Sequence, residues 1–168
     1  QQQTGGYYFV YQRCCRNKTI SNIIQPDSTG ATYFVYLSEY AMSLCNSSPE
    51  FGETPPVFVC VNKPINHPNA ATDLDGDSLV YSFYTPFKGA SITSPQPPFA
   101  SPPPYDTVTW LDPPYNLNNI LGANPPLTID PSTGLITGTP MVSGQFVVGV
   151  MVEEYRNGFL LSRVRRDF

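Results

Sequence analysis

Three aspartates at alternate positions are the residues of this chain best suited to chemistry. Asp73, Asp75 and Asp77 follow one another closely, with Gly76 between the last two. Carboxylates this close repel one another, so ordering them calls for a compensating cation. Ca²⁺ suits the loop better than Mg²⁺, because it accepts several carboxylate and carbonyl oxygens in flexible geometry. Gly76 allows a sharp backbone turn, and the pattern therefore predicts a calcium loop.

The residues after the aspartates alternate as in a β-strand. Leu79, Tyr81 and Phe83 fall on one face, while Val80 and Ser82 fall on the other. The calcium loop is therefore expected to lead directly into a core strand.

The loop does not have the pattern of an EF-hand. Counted from Asp73, the sixth position is Ser78 rather than glycine, and the twelfth is Tyr84 rather than glutamate. The alternative to a metal site is a solvated acidic turn that caps a hairpin, since Asp and Gly are common turn residues.

Composition predicts an all-β protein. The chain has 168 residues, of which 40% are hydrophobic and 13% charged, with 19 prolines and 12 glycines. Such a chain favours short strands joined by turns over long helices. The formal charge of −4 argues against nucleic acid as a partner. No apolar run reaches the roughly 18 residues that span a bilayer, so no transmembrane segment is expected.

Four cysteines, Cys14, Cys15, Cys45 and Cys60, are candidates for disulfides. Their even number in a lysine-poor chain suggests an oxidising compartment. Three pairings are open, and a bond between the adjacent Cys14 and Cys15 is the least expected because its ring would be strained. A zinc site is the rival interpretation, but the chain has no Cys-x-x-Cys and only one histidine, His67, which is expected in a loop.

Two domains are predicted, with the boundary at Pro55-Pro56. Residues 1–54 contain only two strand-like runs, 6–16 and 31–40, which are too few for an independent domain. We expect a partial, disulfide-bearing β domain or a sheet annexed to the second domain. The second domain covers 55–168 and opens with a strand at 57–61.

The C-terminal part has the pattern of a long hairpin. A strand over 144–155 and a returning strand over 160–168 flank Asn157-Gly158, a strong hairpin turn signal. Glu153 and Glu154 face opposite sides of the first strand, so they cannot act as an acid/base pair, although one of them could complete the calcium shell. The chain ends in mid-strand, which predicts a segment of a longer protein and an exposed last strand open to strand addition between identical subunits.

Aromatic residues offer a second class of function. Tyr105, Trp110 and Tyr115 could form a stacking surface for sugars, as in a carbohydrate-binding module, although a core position for Trp110 is favoured. The preceding proline-rich run, 85–104, is expected to be a loop, either floppy or draped over the surface. Enzymatic activity is not expected, because the chain shows no nucleophile motif, no histidine set for a metal and no glycine-rich phosphate loop.

Several motifs together resemble a known family. Residues 73–81, 126–140 and 144–146, in that order, resemble the cadherin-like and Ig-like modules of bacterial surface proteins over about residues 55–168. The flanking runs 11–17 and 154–158, with 45–49, resemble a subset found in long gliding-motility-associated-like proteins of Bacteroidetes, which are exported by the type IX route. The resemblance implies a Greek-key, Ig/cadherin-like β-sandwich, Ca²⁺ at the aspartate loop, and repetition along an extended adhesin or filament at the outer cell surface.

The leading hypothesis is therefore a non-enzymatic structural or adhesive module, rigidified by Ca²⁺ and by disulfides. Its expected partners are neighbouring modules of the same polypeptide or identical subunits, together with glycans or surfaces. Asp106-Thr107-Val108 also resembles the short O-glycosylation signals of that phylum, which makes Thr107 a candidate for modification.

Overall fold

The structure, a computed structural model, describes residues 4–56 and 58–168, and over these residues the chain is nearly all β. The only α-helix in that part of the chain, α1, is the single turn and a half Glu39–Ser43. The strands are β1 Tyr7–Arg13, β2 Ala31–Leu37, β3 Glu50–Phe51, β4 Ile65–Pro68, β5 Ala71–Thr72, β6 Ser78–Phe83, β7 Thr128–Ile129, β8 Leu135–Gly138, β9 Gly149–Arg156 and β10 Phe159–Asp167. The predicted all-β class is confirmed.

The strands form antiparallel sheets. A five-stranded sheet has the order β1-β2-β10-β9-β6, a three-stranded sheet has the order β4-β8-β7, and β3 pairs with β5. The larger sheet crosses the predicted boundary at Pro55-Pro56, because β2 pairs with β10 at Leu37 opposite Ser162 and Tyr36 opposite Arg163. The first two strands are thus continuous with the sheet of the C-terminal hairpin.

The main core lies between the larger sheet and the three-stranded sheet. Val150 on β9 and Ile136 on β8 belong to one buried cluster, which residues 120–127 complete. Val150 and Val152 are fully buried and share one face of β9, which also carries Glu154 nearer the end of the strand. Burying a side chain of this size contributes about 1.5–3 kcal/mol. The arrangement is consistent with an all-β sandwich.

Two local predictions are confirmed in detail. Asn157 and Gly158 join β9 to β10 with φ of 53° and 81°, the left-handed conformation that a tight hairpin turn requires. On β6, Tyr81 is buried while Val80 is 40% exposed, as the alternation indicates.

The proline-rich run 85–104 is draped over one face of the β1–β2 pair. The Thr32 hydroxyl donates to the Lys88 carbonyl at 2.5 Å, and the Ser101 N–H donates to Gln12 Oε1 at 3.0 Å. The crossing is so close that a Cβ on Gly30 would lie 1.4 Å from the Gly89 carbonyl oxygen. Glycine is therefore required where this loop passes the start of β2.

Some predicted strands are shorter than expected or missing. The run after β2 becomes helical because the Ser38 hydroxyl caps α1 by accepting from the Ala41 N–H at 3.1 Å. Of the strand predicted at 57–61, Val57 lies outside the described residues, and 58–61 form no strand, with Phe58 90% exposed. The strand predicted from 144 begins only at Gly149.

Two further expectations are wrong. His67, predicted in a loop, lies on β4 and is buried. The last strand is expected at an exposed edge, but β10 lies between β2 and β9, and the edges of the larger sheet are β1 and β6. Strand addition through β10 therefore loses its structural basis.

The cysteines also pair differently from the expectation. Cys14 and Cys15 are bonded to each other, the pairing considered least plausible, whereas Cys45 and Cys60 are free and exposed. A bond between adjacent residues closes no long loop, so it does not connect distant parts of the sheet. The cohesion of the N-terminal strands depends on packing and hydrogen bonds instead.

Within the described residues, no helix is long and apolar enough to cross a membrane.

A buried asparagine connects the N-terminal segment to the core. The Asn22 side-chain amide donates to the carbonyls of Ile120 at 3.2 Å and Val147 at 2.9 Å, and its oxygen accepts from the Val147 N–H at 3.0 Å. Every polar atom of this fully buried side chain is thereby paired.

We expect Asn22→Leu to lower the free energy of unfolding by about 2–4 kcal/mol, because it leaves buried backbone groups without partners. Asn118→Ala at an exposed position is the control and should change it by less than about 0.5 kcal/mol. Urea denaturation of both variants measures the difference, and equal stabilities would contradict the assigned role of Asn22.

Candidate metal centre

The first aspartate of the loop organises its backbone. Asp73 Oδ1 accepts hydrogen bonds from the N–H groups of Asp75 at 3.0 Å and Asp77 at 2.8 Å. Gly76 between them has φ of 77°, a left-handed conformation that glycine adopts readily and that gives the sharp turn expected from the sequence. The other oxygen, Asp73 Oδ2, is buried and has no hydrogen-bond partner among the described residues.

Strand pairing brings a third carboxylate to the loop. β6 runs antiparallel to β9 with Leu79 opposite Glu154, so the loop that precedes β6 ends beside Glu154. One oxygen from each of Asp73, Asp77 and Glu154 lies within 4.8 Å of the other two. Calcium–oxygen distances of about 2.3–2.6 Å place ligand atoms up to about 5 Å apart across the ion. The spacing therefore fits a single Ca²⁺ held by the three carboxylates.

Arginine supplies the only positive charge that pairs with this cluster in the described part of the chain. Arg156 Nε donates to Asp77 Oδ1 and Arg156 Nη2 to Asp77 Oδ2, each at 2.6 Å. Nη2 also donates to Asn46 Oδ1 at 2.9 Å. This two-pronged bond lowers the pKa of Asp77 from its ordinary value.

Glu154 is the most deeply buried member of the cluster. Its side chain is fully buried, and it accepts from Asn46 Nδ2 at 2.8 Å and from the Ser162 hydroxyl at 2.5 Å. Burial raises the pKa of Glu154 to about 7, since the charged form loses its hydration. At neutral pH this group therefore lies between its protonated and ionised forms.

Two kinds of positive charge can balance the cluster. With Glu154 ionised, Asp73, Asp77 and Glu154 carry three negative charges against the single charge of Arg156, a surplus of two that a divalent cation cancels. With Glu154 protonated, its proton is placed to hydrogen-bond to Asp77, and one negative charge remains. A divalent cation at this cluster would therefore compete with a proton for Glu154.

The predicted aspartates do not all converge. Asp73 and Asp77 lie in the cluster, whereas Asp75 is exposed and its Oδ2 accepts from the Ser47 N–H at 2.6 Å. Of the two glutamates considered for the shell, Glu154 faces the loop. Glu153 points to the opposite face of β9 and pairs with Arg163 at 2.6 Å.

Sequence reasoning missed the residues that support the cluster. Asn46 lies in the run 45–49 that carries part of the resemblance, but nothing in that run indicates a contact with the aspartate loop, and Ser162 lies in no motif. Arg156 could have been found, because it lies two residues after Glu154 and therefore projects from the same face of β9.

The aromatic candidates do not share one surface. Trp110 packs against the main core and against a smaller buried cluster formed by Ile23, Val108 and Val147. Its Nε1 donates to the Thr85 hydroxyl at 3.3 Å. Tyr115 contacts Phe146 with ring centroids 5.8 Å apart. The packing of Trp110 agrees with the core position that the sequence favours.

Tyr105 has different neighbours, since its ring lies 5.2 Å from Phe34 and 6.1 Å from Phe87. Thr107 is exposed, next to the draped loop, and its modification stays a prediction.

Comparison with known proteins identifies no relative: no family model, no curated protein and no solved structure matches the chain.

The buried glutamate predicts a pH effect in chelator. Because the pKa of Glu154 is about 7 in the folded state against 4.5 when exposed, the folded protein binds the extra proton between these values. The stability that this extra proton gives to the folded state is therefore present at pH 4.5 and is lost as the pH rises through 7. At about 1.4 kcal/mol per pKa unit, the loss is at most about 3.5 kcal/mol.

Glu154→Gln mimics the protonated form, so in EDTA we expect this variant to be more stable than the wild type at pH 8 and similar at pH 5. Denaturant titrations at both pH values measure the difference in unfolding free energy between the two proteins. Burial lowers the pKa of His67 and so has the opposite effect on stability, but His67 is present in both proteins and its effect cancels in this difference. Glu153→Gln on the opposite face is the control and should keep the wild-type pH dependence. If the unfolding free energies of the wild type and of Glu154→Gln changed equally between the two pH values, the assignment of the pH effect to Glu154 would be contradicted.

Proposed function

We propose that this protein is a structural or adhesive module of a secreted cell-surface protein or extracellular filament, rigidified by Ca²⁺. The observation that carries the proposal is the convergence of Asp73, Asp77 and Glu154 to within 4.8 Å, with Asp73 Oδ2 buried and unpaired among the described residues. In this proposal the three carboxylates are the protein ligands, and the ion supplies the positive charge that Arg156 alone does not.

The mechanism is mechanical, because the cluster joins segments from the whole chain. Asp73 and Asp77 belong to the loop before β6, and Glu154 and Arg156 belong to β9. Asn46 adds the segment after α1 through its bonds to Glu154 and Arg156, and Ser162 adds β10. A cation that binds only this folded arrangement stabilises it by mass action, so the four segments resist separation as a unit.

The cell-surface location and the partners in this proposal are inferred from the resemblance to modules of Bacteroidetes gliding-motility-associated-like proteins. Under this proposal the neighbours are further modules of the same polypeptide or identical subunits. The all-β architecture and the small number of charged residues suit a load-bearing extracellular role. The disulfide contributes less to the rigidity of the module than expected, because it joins the adjacent residues Cys14 and Cys15 and links no distant segments.

The alternative, a carbohydrate-binding module that uses Trp110 with Tyr105 and Tyr115, has weaker support. Trp110 contributes to the core, and the three rings contact different neighbours. A sugar that stacked on Trp110 would have to displace that packing.

Calcium should raise the thermal stability of the purified protein. At a free Ca²⁺ concentration of about 100 times the Kd, binding contributes about 2.7 kcal/mol, which corresponds to a Tm increase of about 5–10 °C for a domain of this size. We expect this increase over an EDTA-treated sample at pH 7.5, measured by calorimetry.

Variants of single carboxylates identify the ligands. Asp73→Asn and Glu154→Gln should lose most of the calcium-induced shift, because each removes a ligand charge. Asp75→Asn is the matched control from the same loop and should retain the shift, since its carboxylate bonds to Ser47 outside the cluster. An unchanged Tm in saturating calcium, or loss of the shift only in Asp75→Asn, would contradict the proposed centre.

A further inference from the structure

A cleft lies on the face of the larger sheet that is opposite to the acidic cluster. Tyr36 on β2 is paired with Tyr8 on β1 and with Arg163 on β10, so these three side chains project from the same face. Phe87 on the draped loop and Tyr105 directly after it form the other wall. The cleft has a volume of about 450 Å³ and is open to solvent, a size that accommodates a small ligand.

Aromatic rings form most of its surface. Tyr8 lies 5.0 Å from Tyr36 and 5.7 Å from Phe34, and Phe34 lies 5.3 Å from Phe87, measured between ring centroids. Tyr8 is 44% exposed, so its ring is available to a ligand. Ring faces carry partial negative charge and attract the weakly positive C–H groups on the flat face of a sugar ring.

The cleft also carries one positive charge without a carboxylate partner. Arg163 is neutralised by Glu153 at 2.6 Å, but Arg165 forms no ion pair with any described residue. The Arg165 guanidinium lies 4.4 Å above the Phe34 ring, and its Nη1 is buried without a hydrogen-bond acceptor. Burial lowers the pKa of Arg165 from its ordinary value, which reflects a poorly hydrated cation. Such a group favours an anionic ligand, since carboxylates match the planar guanidinium.

Hydroxyl groups complete the set. Tyr8, Tyr36 and Tyr105 each bring a phenol to the cleft, and the Tyr105 hydroxyl is buried and has no partner among the described residues. A ligand that combines an apolar ring face, several hydroxyls and one carboxylate would satisfy all three features. An acidic peptide offers the charge, but it has no saturated ring that presents a flat apolar face together with several hydroxyls.

We propose that this cleft binds a uronic-acid-containing glycan, with a sugar ring stacked on Tyr8 and Tyr36 and its carboxylate bound by Arg165. The site goes beyond the proposed structural function and is separate from the calcium centre, because Glu153 and Glu154 lie on opposite faces of β9. A surface module with this cleft attaches to an acidic polysaccharide.

The test is calorimetric titration of the full chain with oligosaccharides of galacturonate, glucuronate and mannuronate, each compared with the neutral hexose oligosaccharide of the same configuration. The buffer contains EDTA, so that calcium bridging to uronates does not contribute and the result does not depend on the metal centre. We expect at least one uronate series to bind about tenfold or more tightly than its neutral counterpart, and to weaken as the salt concentration rises.

Variants locate the site. Arg165→Gln should weaken binding at least about tenfold, and Tyr8→Ala about threefold to tenfold. Phe9→Ala is the matched control, because Phe9 is the next residue on β1, is 65% exposed and points to the opposite face; it should bind as the wild type does. Should Arg165→Gln fail to fold, as judged by its thermal melt, Arg165→Lys and Tyr8→Ala provide the comparison.

Four outcomes would overturn the proposal. The first is no binding of any uronate series, and the second is equal binding of the neutral sugars. The third is binding of an acidic peptide in place of the uronates. The fourth is a loss in Phe9→Ala as large as that in Tyr8→Ala.

Discussion

A carboxylate buried inside an all-β sandwich is the main electrostatic constraint on this molecule. Glu154 is fully inaccessible to solvent and lies beside Asp73 and Asp77, and Arg156 is the one cation among the described residues that pairs with the group. Removing a charged carboxylate from water is costly unless a partner compensates it. Hydrogen bonds from Asn46 and Ser162 offset part of this cost. The remainder must come from a proton or from a cation.

Buried polar contacts recur throughout the molecule, because short strands and long connections leave many segments without ladder hydrogen bonds. Asn22 fixes the segment before β2 to the core. Arg16 forms a buried ion pair with Asp167 at 2.5 Å, which attaches the segment after β1 to the end of β10. The acidic cluster performs the same task for the loop before β6. Each contact satisfies a group that burial would otherwise penalise, so each specifies one arrangement of the chain around it.

Local features of the fold could be predicted from the sequence, and long-range ones could not. The aspartate loop leading into β6 and the Asn157-Gly158 turn depend on neighbouring residues, and both are found as expected. Which carboxylates meet depends on the register that places Leu79 opposite Glu154, and alternation along one strand does not give that register. Asn46 reaches Glu154 across 108 positions of sequence. The Cys14–Cys15 bond is the least expected pairing when ring strain is the only criterion, and ring strain does not take the surrounding chain into account. The position of β10 differs from the expectation because the end of a sequence need not be the edge of a sheet.

The proposed function is drawn from the resemblance to surface modules, which includes residues 73–81, and from the geometry of the acidic cluster, and it is the geometry that gives a direct physical prediction. A crystal structure determined from crystals grown in calcium chloride at neutral pH tests that claim most directly. The account predicts one peak of calcium density with oxygens of Asp73, Asp77 and Glu154 at about 2.3–2.6 Å. Density that shows only water or a Glu154–Asp77 hydrogen bond at this position, in saturating calcium, would contradict it.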